Sequence, residues 1–259
     1  MALGIAKGYD YWKFTAMRIV IVSDIHSNYV ALETVLATAG SWDQLWNLGD
    51  TIGYGPCPNE CVAAMQQADV MIAGNHDLAC LGKVDLSDFN PDARAANIWN
   101  GKQLEPDYRE LLEALPPLQL VDERFLVVHG SPREPVWEYL LTAEQARENF
   151  ALFDNQVCFM GHSHVPLIFS LREGERCHGP SLPFAGETIE LQPDTRYFIN
   201  PGSVGQPRDQ DPRASYAVLD TSAGTVCFNR IEYDIAQTQR QMREAKLPQA
   251  LIRRLDYGM

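Results

Sequence analysis

The sequence lacks any long apolar run that could cross a membrane. No stretch approaches the roughly eighteen apolar residues that a membrane-spanning helix requires. The first sixteen residues also lack the apolar segment of a secretory signal peptide. We therefore expect a cytoplasmic protein that has no membrane partner.

Basic residues are scarce relative to acidic ones. Lys and Arg total 21 against 34 Asp and Glu, which gives a formal net charge of -13. No cluster of basic residues interrupts this acidity, so long nucleic acid is not an expected partner. A small anionic substrate remains compatible with the charge, because bound divalent cations can reverse the sign of the local field.

The six cysteines lack the spacing of a disulfide framework. They are scattered through a chain of 259 residues, which is long enough to bury a core without covalent cross-links. Reduced thiols are therefore expected. Cys57 and Cys61 are four residues apart, but without a second pair they indicate ordinary helical cysteines rather than a metal site.

The N-terminal segment differs in pattern from the rest of the chain. A clean apolar strand pattern begins directly after Met17, so Met17 could be the natural start and residues 1–16 a poorly ordered extension. The alternative is that aromatic side chains of this segment pack on a neighbouring surface. Residues 17–259 are expected to form one domain.

The hydrophobic pattern changes character near residue 165. Before it, short apolar runs alternate with helix-period segments, which predicts a sheet with crossover helices. The predicted strands there are 18–23, 44–48, 70–73, 125–128 and 156–160, and the predicted helices are 29–39, 59–67, 92–104, 107–115 and 142–153. Beyond it, consecutive strand-like runs predict antiparallel pairing at 167–171, 187–191, 196–199, 215–219 and 225–231, followed by one helix over 235–255.

Two sheets, each covered by helices, would satisfy the burial needs of both halves. The predicted fold class is accordingly α/β (α+β), as a four-layer α/β/β/α sandwich of two mixed sheets flanked by helices.

Five of the six histidines follow the ends of predicted strands, in the company of carboxylate and amide side chains. In chain order, the residues at these ends are Asp24, His26, Asp50, Asn75, His76, His129, His162 and His164. Ligand groups of open α/β sheets gather outside the carboxyl ends of the strands, so these side chains should converge at one edge. Helix capping or turn formation explains each Asp or Asn singly, but not histidine at these positions.

A mixture of imidazole, carboxylate and amide ligands suits first-row divalent metals better than calcium. The seven residues of this set other than His76 exceed, as ligands, the needs of one tetrahedral ion, and a carboxylate such as Asp50 can bridge two ions. We therefore expect two divalent cations, with manganese first and iron, zinc, nickel or magnesium as alternatives.

The motifs Asp-x-His, Gly-Asp, Gly-Asn-His-Asp, His-Gly and Gly-His-Ser-His occur in this order between residues 24 and 164. Together they resemble the calcineurin-like metallophosphoesterase family. The segments 129–133 and 200–208 resemble its bacterial branch of small phosphodiesterases and diadenosine-polyphosphatases. The resemblance implies one metal on Asp24, His26 and His164, a second on Asn75, His129 and His162, and Asp50 on both.

The resemblance also implies a mechanism. His76 would face the substrate rather than a metal, where it stabilises the transition state or protonates the leaving oxygen. A hydroxide that bridges the metals would attack phosphorus in line, without a phospho-enzyme intermediate. The implied substrate is a small phosphodiester or nucleotide.

Four further residues are candidates for contacts with the substrate or with His76. Asn28 either contacts a substrate phosphate or caps a helix, and Arg133 either binds a substrate phosphate or forms a surface ion pair. Asp77 could orient His76, although adjacent residues rarely point at one another. Tyr54 could stack on a base or cover apolar surface.

Two alternative functions remain open. Protein serine/threonine phosphatases belong to the same superfamily, but residues 49–55 (GDTIGYG) lack their Gly-Asp-x-x-Asp-Arg-Gly signature. Non-catalytic scaffold proteins of this fold, such as the retromer subunit, tend to lose the catalytic histidine, whereas His76 is present here. Phosphate ester hydrolysis is therefore the leading prediction.

Overall fold

The computed structural model describes residues 16–259, so both predictions for the N-terminal segment concern residues that lie almost entirely outside it. The described strands are β1 Arg18–Val22, β2 Gln44–Asn47, β3 Val70–Met71, β4 Leu118–Val121, β5 Phe125–Val128, β6 Val157–Phe159, β7 Pro166–Arg172, β8 His178–Ser181, β9 Thr188–Glu190, β10 Thr195–Pro201, β11 Ala214–Asp220 and β12 Thr225–Ile231. The described α-helices are α1 Tyr29–Thr38, α2 Pro58–Met65, α3 Asn75–Leu81, α4 Pro91–Gln103, α5 Pro106–Glu113, α6 Ala143–Phe150, α7 Ile235–Glu244 and α8 Gln249–Arg254.

These strands form two six-stranded mixed sheets. The first has the order β3-β2-β1-β11-β12-β9 and the second has the order β4-β5-β6-β10-β7-β8. In the first sheet β1, β2 and β3 are parallel, and β11 joins β1 antiparallel. In the second sheet β5, β6 and β10 are parallel, with antiparallel strands on both sides.

Side chains that alternate in direction along each strand hold the layers together. Ile19 and Ile21 of β1 face the second sheet, where they join a fully buried cluster with Phe159 and Ile199. The intervening Val20 and Val22 face α1 and α2. The far side of the second sheet packs in the same way on α6. Because successive strand residues point to opposite faces, each sheet has one face on the other sheet and one on helices. The predicted four-layer sandwich is confirmed.

The structure differs from the sequence prediction in its second half. The strands after residue 165 do not form a sheet of their own, because β10 pairs parallel with β6 while β11 pairs with β1. The predicted helix over 235–255 is two helices, since Pro248 stands before α8 and Lys246 has a positive φ of 57°. Helix α3 and strands β4 and β8 were not predicted.

No helix within residues 16–259 combines the length and the apolar character that crossing a bilayer would need.

Candidate metal centre

The loops after β1 and β2 lie side by side at the carboxyl end of the first sheet. The backbone N–H of Asp24 donates to the carbonyl of Gly49 at 3.1 Å, and that of His26 donates to the carbonyl of Asp50 at 2.9 Å. Asp24, His26 and Asp50 have positive φ values of 50° to 53°. Such left-handed backbone is uncommon for residues other than glycine and tends to occur at functional sites.

The first group of candidate ligands comprises Asp24, His26, Asp50 and His164, whose ligand atoms lie within 4.8 Å of one another. The Nε2 atoms of His26 and His164 are 3.0 Å apart, and Nε2 of His164 is 3.3 Å from Oδ1 of Asp24. All four side chains are buried. This set can hold a divalent cation.

The second group comprises Asp50, His129 and His162, which satisfy the same distance limit. Asn75 adjoins this group, because its Oδ1 lies 3.1 Å from Nε2 of His129. The structure therefore brings all seven predicted ligands to one edge, and Asp50 belongs to both groups. We refer to these seven residues as the ligand edge.

The buried carboxylate of Asp50 favours the binding of cations at the ligand edge. Its Oδ1 accepts a hydrogen bond from the backbone N–H of His76 at 2.8 Å. Its Oδ2 is buried and accepts no hydrogen bond from residues 16–259. That atom lies 3.6 Å from Nε2 of His26 and 3.3 Å from Nε2 of His129. A buried carboxylate oxygen whose only charged neighbours are imidazoles that must first be protonated is costly, and a divalent cation would satisfy it.

Backbone carbonyl groups orient three of the ligand imidazoles. Nδ1 lies 3.3 Å from the carbonyl of Ile52 in His26, 2.9 Å from that of Leu48 in His129 and 2.6 Å from that of Gln206 in His164. An Nδ1–H that donates to a carbonyl leaves the Nε2 lone pair directed at the ligand edge, as in many metal sites. His162 has the opposite arrangement, because its Nε2 lies 3.1 Å from the carbonyl of Trp137.

Glycine is required at position 74, where α3 approaches Asp50. A Cβ atom on Gly74 would lie 2.1 Å from Oδ1 of Asp50 and 2.5 Å from its backbone nitrogen. Any larger residue would displace the shared carboxylate. The glycine of the Gly-Asn-His-Asp motif therefore allows this close approach.

Burial and mutual charge shift the ionisation of the ligand edge. Burial lowers the pKa of His26 and His164 well below the usual value and that of His162 to about 3, so these imidazoles are neutral ligands at neutral pH. Burial raises the pKa of Asp24 to about 7. Burial alone would lower the pKa of His129, but the Asp50 carboxylate raises it to about 9. A divalent cation would displace the protons that these two residues retain.

His76 lies beside the ligand edge at the start of α3. Its Nδ1 is 2.8 Å from Oδ1 of Asn97 on α4, and its ring packs against Tyr54 at a centroid distance of 4.2 Å. Burial lowers the pKa of His76 to about 4. Asn97, which the sequence did not single out, is therefore the residue that orients His76. Asp77 instead accepts hydrogen bonds from the backbone N–H groups of Ile52 at 3.0 Å and Gly74 at 2.9 Å.

The structure gives Asn28 and Arg133 partners within the protein. Asn28 caps α1, with its Oδ1 accepting from the backbone N–H of Ala31 at 3.2 Å. Arg133 pairs with Glu138 and, at 2.7 Å, with Glu148. Arg133 does not line the cleft that opens beside the ligand edge. Their roles in substrate binding stay predictions.

This cleft has a volume of about 310 Å³. Asn75, His76 and His162 are among its lining residues, and aromatic residues and two arginines also contribute to it. Its other lining residues are Tyr54, Asp88, Phe89, Asn90, Trp137, Tyr139, Arg208 and Arg254. The sequence singled out only Tyr54 among these eight, although Arg208 ends the motif segment 200–208.

The family model of the calcineurin-like phosphoesterase superfamily domain matches residues 17–224. The chain belongs to this superfamily. The predicted family is therefore confirmed, and its members' chemistry makes the chain a metal-dependent phosphoric ester hydrolase. The buried His and Asp groups of this superfamily member suit divalent metal ions.

Three relatives illustrate the likeness. The structure of a metallophosphoesterase from Sphaerobacter thermophilus is 48% identical and superposes with a TM-score of 0.84, over 95% of this chain and 100% of that chain. A protein of Methanocaldococcus jannaschii is 35% identical over 247 residues, which are 93% of this chain and 98% of that protein. The symmetrical bis(5'-nucleosyl)-tetraphosphatase of Proteus mirabilis is 28% identical over 149 residues, or 54% of this chain and 53% of that protein.

Proposed function

We propose that the protein hydrolyses small phosphodiesters or nucleotide phosphates with two divalent cations. The observation that carries the proposal is the position of Asp50, which belongs to both ligand groups and has a buried Oδ2 without a hydrogen-bond partner in residues 16–259. A shared carboxylate between two groups of imidazoles is the arrangement expected of a two-metal hydrolase.

The proposed ligands divide as the two groups do. Asp24, His26 and His164 would hold one cation, Asn75, His129 and His162 the other, and Asp50 both. We propose manganese first, because mixed imidazole, carboxylate and amide donors suit it, while iron, zinc, nickel and magnesium remain alternatives. When bound, such cations supply a water-derived nucleophile at neutral pH and neutralise phosphate charge.

His76 is the proposed catalytic residue of the chain itself. Donation of its Nδ1 proton to Asn97 fixes the tautomer in which Nε2 carries the lone pair. Once a bound phosphate anion has drawn a proton onto this nitrogen, the imidazolium would donate a hydrogen bond to a phosphate oxygen or transfer the proton to the leaving oxygen during in-line displacement. The buried position at the wall of the cleft supports this role.

A small substrate is favoured over a folded phosphoprotein. The cleft has a volume of about 310 Å³, which is the size of a small-molecule site. The likeness to a bis(5'-nucleosyl)-tetraphosphatase, although it covers about half of each chain, also supports a nucleotide substrate. A scaffold is not favoured, since His76 and all seven ligand residues are in place. A protein serine/threonine phosphatase is not favoured, since residues 49–55 lack the Gly-Asp-x-x-Asp-Arg-Gly signature.

We also propose a cytoplasmic location. All six cysteines are free thiols in the structure, as is usual for proteins of reducing compartments.

Hydrolysis of bis(p-nitrophenyl) phosphate with added manganese tests the proposed function. We compare the unchanged protein with His76→Ala and with His178→Ala as matched control, because His178 is an exposed histidine on β8 remote from the cleft lining. Loss of His76 should lower kcat by about 10²- to 10⁴-fold, the usual contribution of general acid–base catalysis. Equal rates for both variants, or no manganese-dependent rate in the unchanged protein, would contradict the proposal.

A further inference from the structure

Two arginines lie in the cleft next to the ligand edge and play no part in the metal groups. Arg208 follows β10 in the loop that carries Gln206, and Arg254 is the last residue of α8. Both line the same cleft as His76 and His162. Both arginines therefore border the space into which a substrate held at the ligand edge would extend.

Neither cleft arginine forms an ion pair with an Asp or Glu of residues 16–259, although the chain is strongly acidic. By contrast, the nearby Arg213 pairs with Asp211 at 2.6 Å and Arg230 pairs with Asp209. Asp88 also lines the cleft, but it is exposed and pairs with neither arginine. The cleft thus contains two cationic groups that no Asp or Glu of the described chain neutralises.

Arg208 is held by hydrogen bonds from one of its nitrogens, while another of its donors has no acceptor within residues 16–259. Its Nη2 donates to the hydroxyl of Tyr54 at 3.3 Å and to Oε1 of Gln206 at 3.1 Å, and its guanidinium lies 5.8 Å from the centroid of the Tyr54 ring. Its Nε is buried and has no hydrogen-bond partner in the described chain. A buried N–H of a cation without an acceptor is costly, so an anion that reaches it would be strongly bound.

The positive charge of Arg208 lies close enough to Arg254 to affect the pKa of its guanidinium. Burial, and then the charge of Arg208, lower the pKa of Arg254 to about 10. Its Nε donates to the main-chain oxygen of Met259, the last residue described, and no Asp or Glu of residues 16–259 forms a salt bridge with this guanidinium. Two neighbouring guanidinium groups with free donors match the oxygens of a phosphate, which would relieve their mutual repulsion.

On the premise of the proposed phosphoesterase function, we propose that Arg208 and Arg254 form a second phosphate subsite. The preferred substrate would then carry a chain of at least two phosphates, one at the ligand edge and the next at the two arginines. Hydrolysis breaks one P–O–P bridge of this chain. The oxygen of water joins the phosphorus at the ligand edge, and the bridging oxygen departs, with a proton, on the phosphate that the arginines hold.

Substrate comparison tests the subsite. The ratio of kcat/KM for diadenosine tetraphosphate to that for bis(p-nitrophenyl) phosphate is measured in the manganese-loaded protein. Variants are Arg254→Gln, the charge-conserving Arg254→Lys, and Arg253→Gln as matched control, because Arg253 is the exposed neighbour on the same helix. Calorimetric titration with inorganic tripolyphosphate, at a fixed concentration of free manganese, measures binding independently of turnover.

The subsite predicts that Arg254→Gln lowers the ratio at least about tenfold and weakens tripolyphosphate binding by a similar factor. Arg254→Lys should recover most of both, and Arg253→Gln should change neither. An unchanged ratio and unchanged binding in Arg254→Gln would overturn the subsite. If neither the unchanged protein nor any variant cleaves either ester, the proposed function fails. Tripolyphosphate binding alone then decides whether the subsite exists. Weakening confined to Arg254→Gln then supports the subsite, and equal binding by all variants overturns it.

Discussion

The two sides of the cleft are built in different ways. The ligand edge is formed by loops that directly follow strands of the two sheets, and its imidazoles are held by backbone carbonyl groups. The arginine side is formed by a loop after β10 and by the C-terminal helix α8, and it includes a buried donor without a partner in the described chain. Groups on strand ends are placed by the sheet itself, whereas groups on loops and helices are placed by packing. The chemistry of the site is therefore expected to be less tolerant of change than its substrate preference.

The largest loss of metal binding and of activity is expected when the shared carboxylate is removed. Asp50→Asn removes the charge common to both ligand groups, so the bound metal should fall from two ions towards one or none. Two-metal stabilisation of the transition state is worth several kcal/mol, so kcat/KM should fall more than about 10³-fold. Elemental analysis and hydrolysis of bis(p-nitrophenyl) phosphate measure the two effects.

Asp107→Asn is the matched control, because Asp107 is an exposed carboxylate on α5. Full metal content in Asp50→Asn would show that the ligand edge does not depend on a shared carboxylate.

A smaller effect is expected for Asn97, which contacts His76 from α4. Asn97→Ala removes the acceptor of the His76 Nδ1 proton, and loss of such an orienting partner typically costs about 10- to 100-fold in activity. Because the Asn97 hydrogen bond raises the pKa of His76, that pKa should fall further in the variant. Metal content should stay constant.

Activity assays and an NMR titration of His76 check these expectations for Asn97. Asn97→Asp restores an acceptor and should raise the pKa of His76 again. A His76 pKa that is unchanged in Asn97→Ala would exclude the positioning role.

The pH dependence of stability should distinguish the metal-free from the metal-loaded ligand edge. The native pKa of His129 is about 9, above the usual value of 6.5, so the folded protein keeps a proton that the unfolded chain releases. The stabilisation is therefore complete below about pH 6.5 and is lost as the pH rises towards 9. A cation that occupies the imidazole nitrogen removes this dependence.

The measurement is the Tm of the chelator-treated protein and of the manganese-loaded protein at pH 7.5 and 8.5, where the histidines whose folded pKa is lowered have almost ceased to titrate in the unfolded chain. The metal-free Tm should fall by roughly 3 °C over this interval, while the loaded protein changes less. A metal-free Tm that rises with pH would show that His129 does not hold the additional proton.

The smallest effect is expected for Arg133, on the outer surface near α6. Its partners are Glu138 and Glu148, and its side chain is 43% exposed. Exposed ion pairs contribute about 0–1 kcal/mol, so Arg133→Ala should lower the Tm slightly and change KM less than about twofold. A tenfold rise in KM would instead restore Arg133 as a substrate-binding residue and extend the binding surface beyond the cleft.

Local sequence patterns predicted most of the elements. Apolar alternation and helical periodicity identified β1, β2, β5 and β6 and the helices between them, because the burial of each segment depends on residues two to four positions apart. The pattern did not reveal α3. That helix has only seven residues and begins within the Gly-Asn-His-Asp motif, where the functional residues replace the usual apolar pattern.

The sequence by itself determined the residue types at the strand ends, the superfamily and the four-layer fold. Only the tertiary structure decided that β10 and β11 join different sheets, that Asn97 meets His76, and that Arg208 and Arg254 share one cleft. The physical reason is the range of the interactions. A strand and the residues after it are specified by neighbours in the chain, whereas these contacts join residues from separate elements and form only when the layers pack.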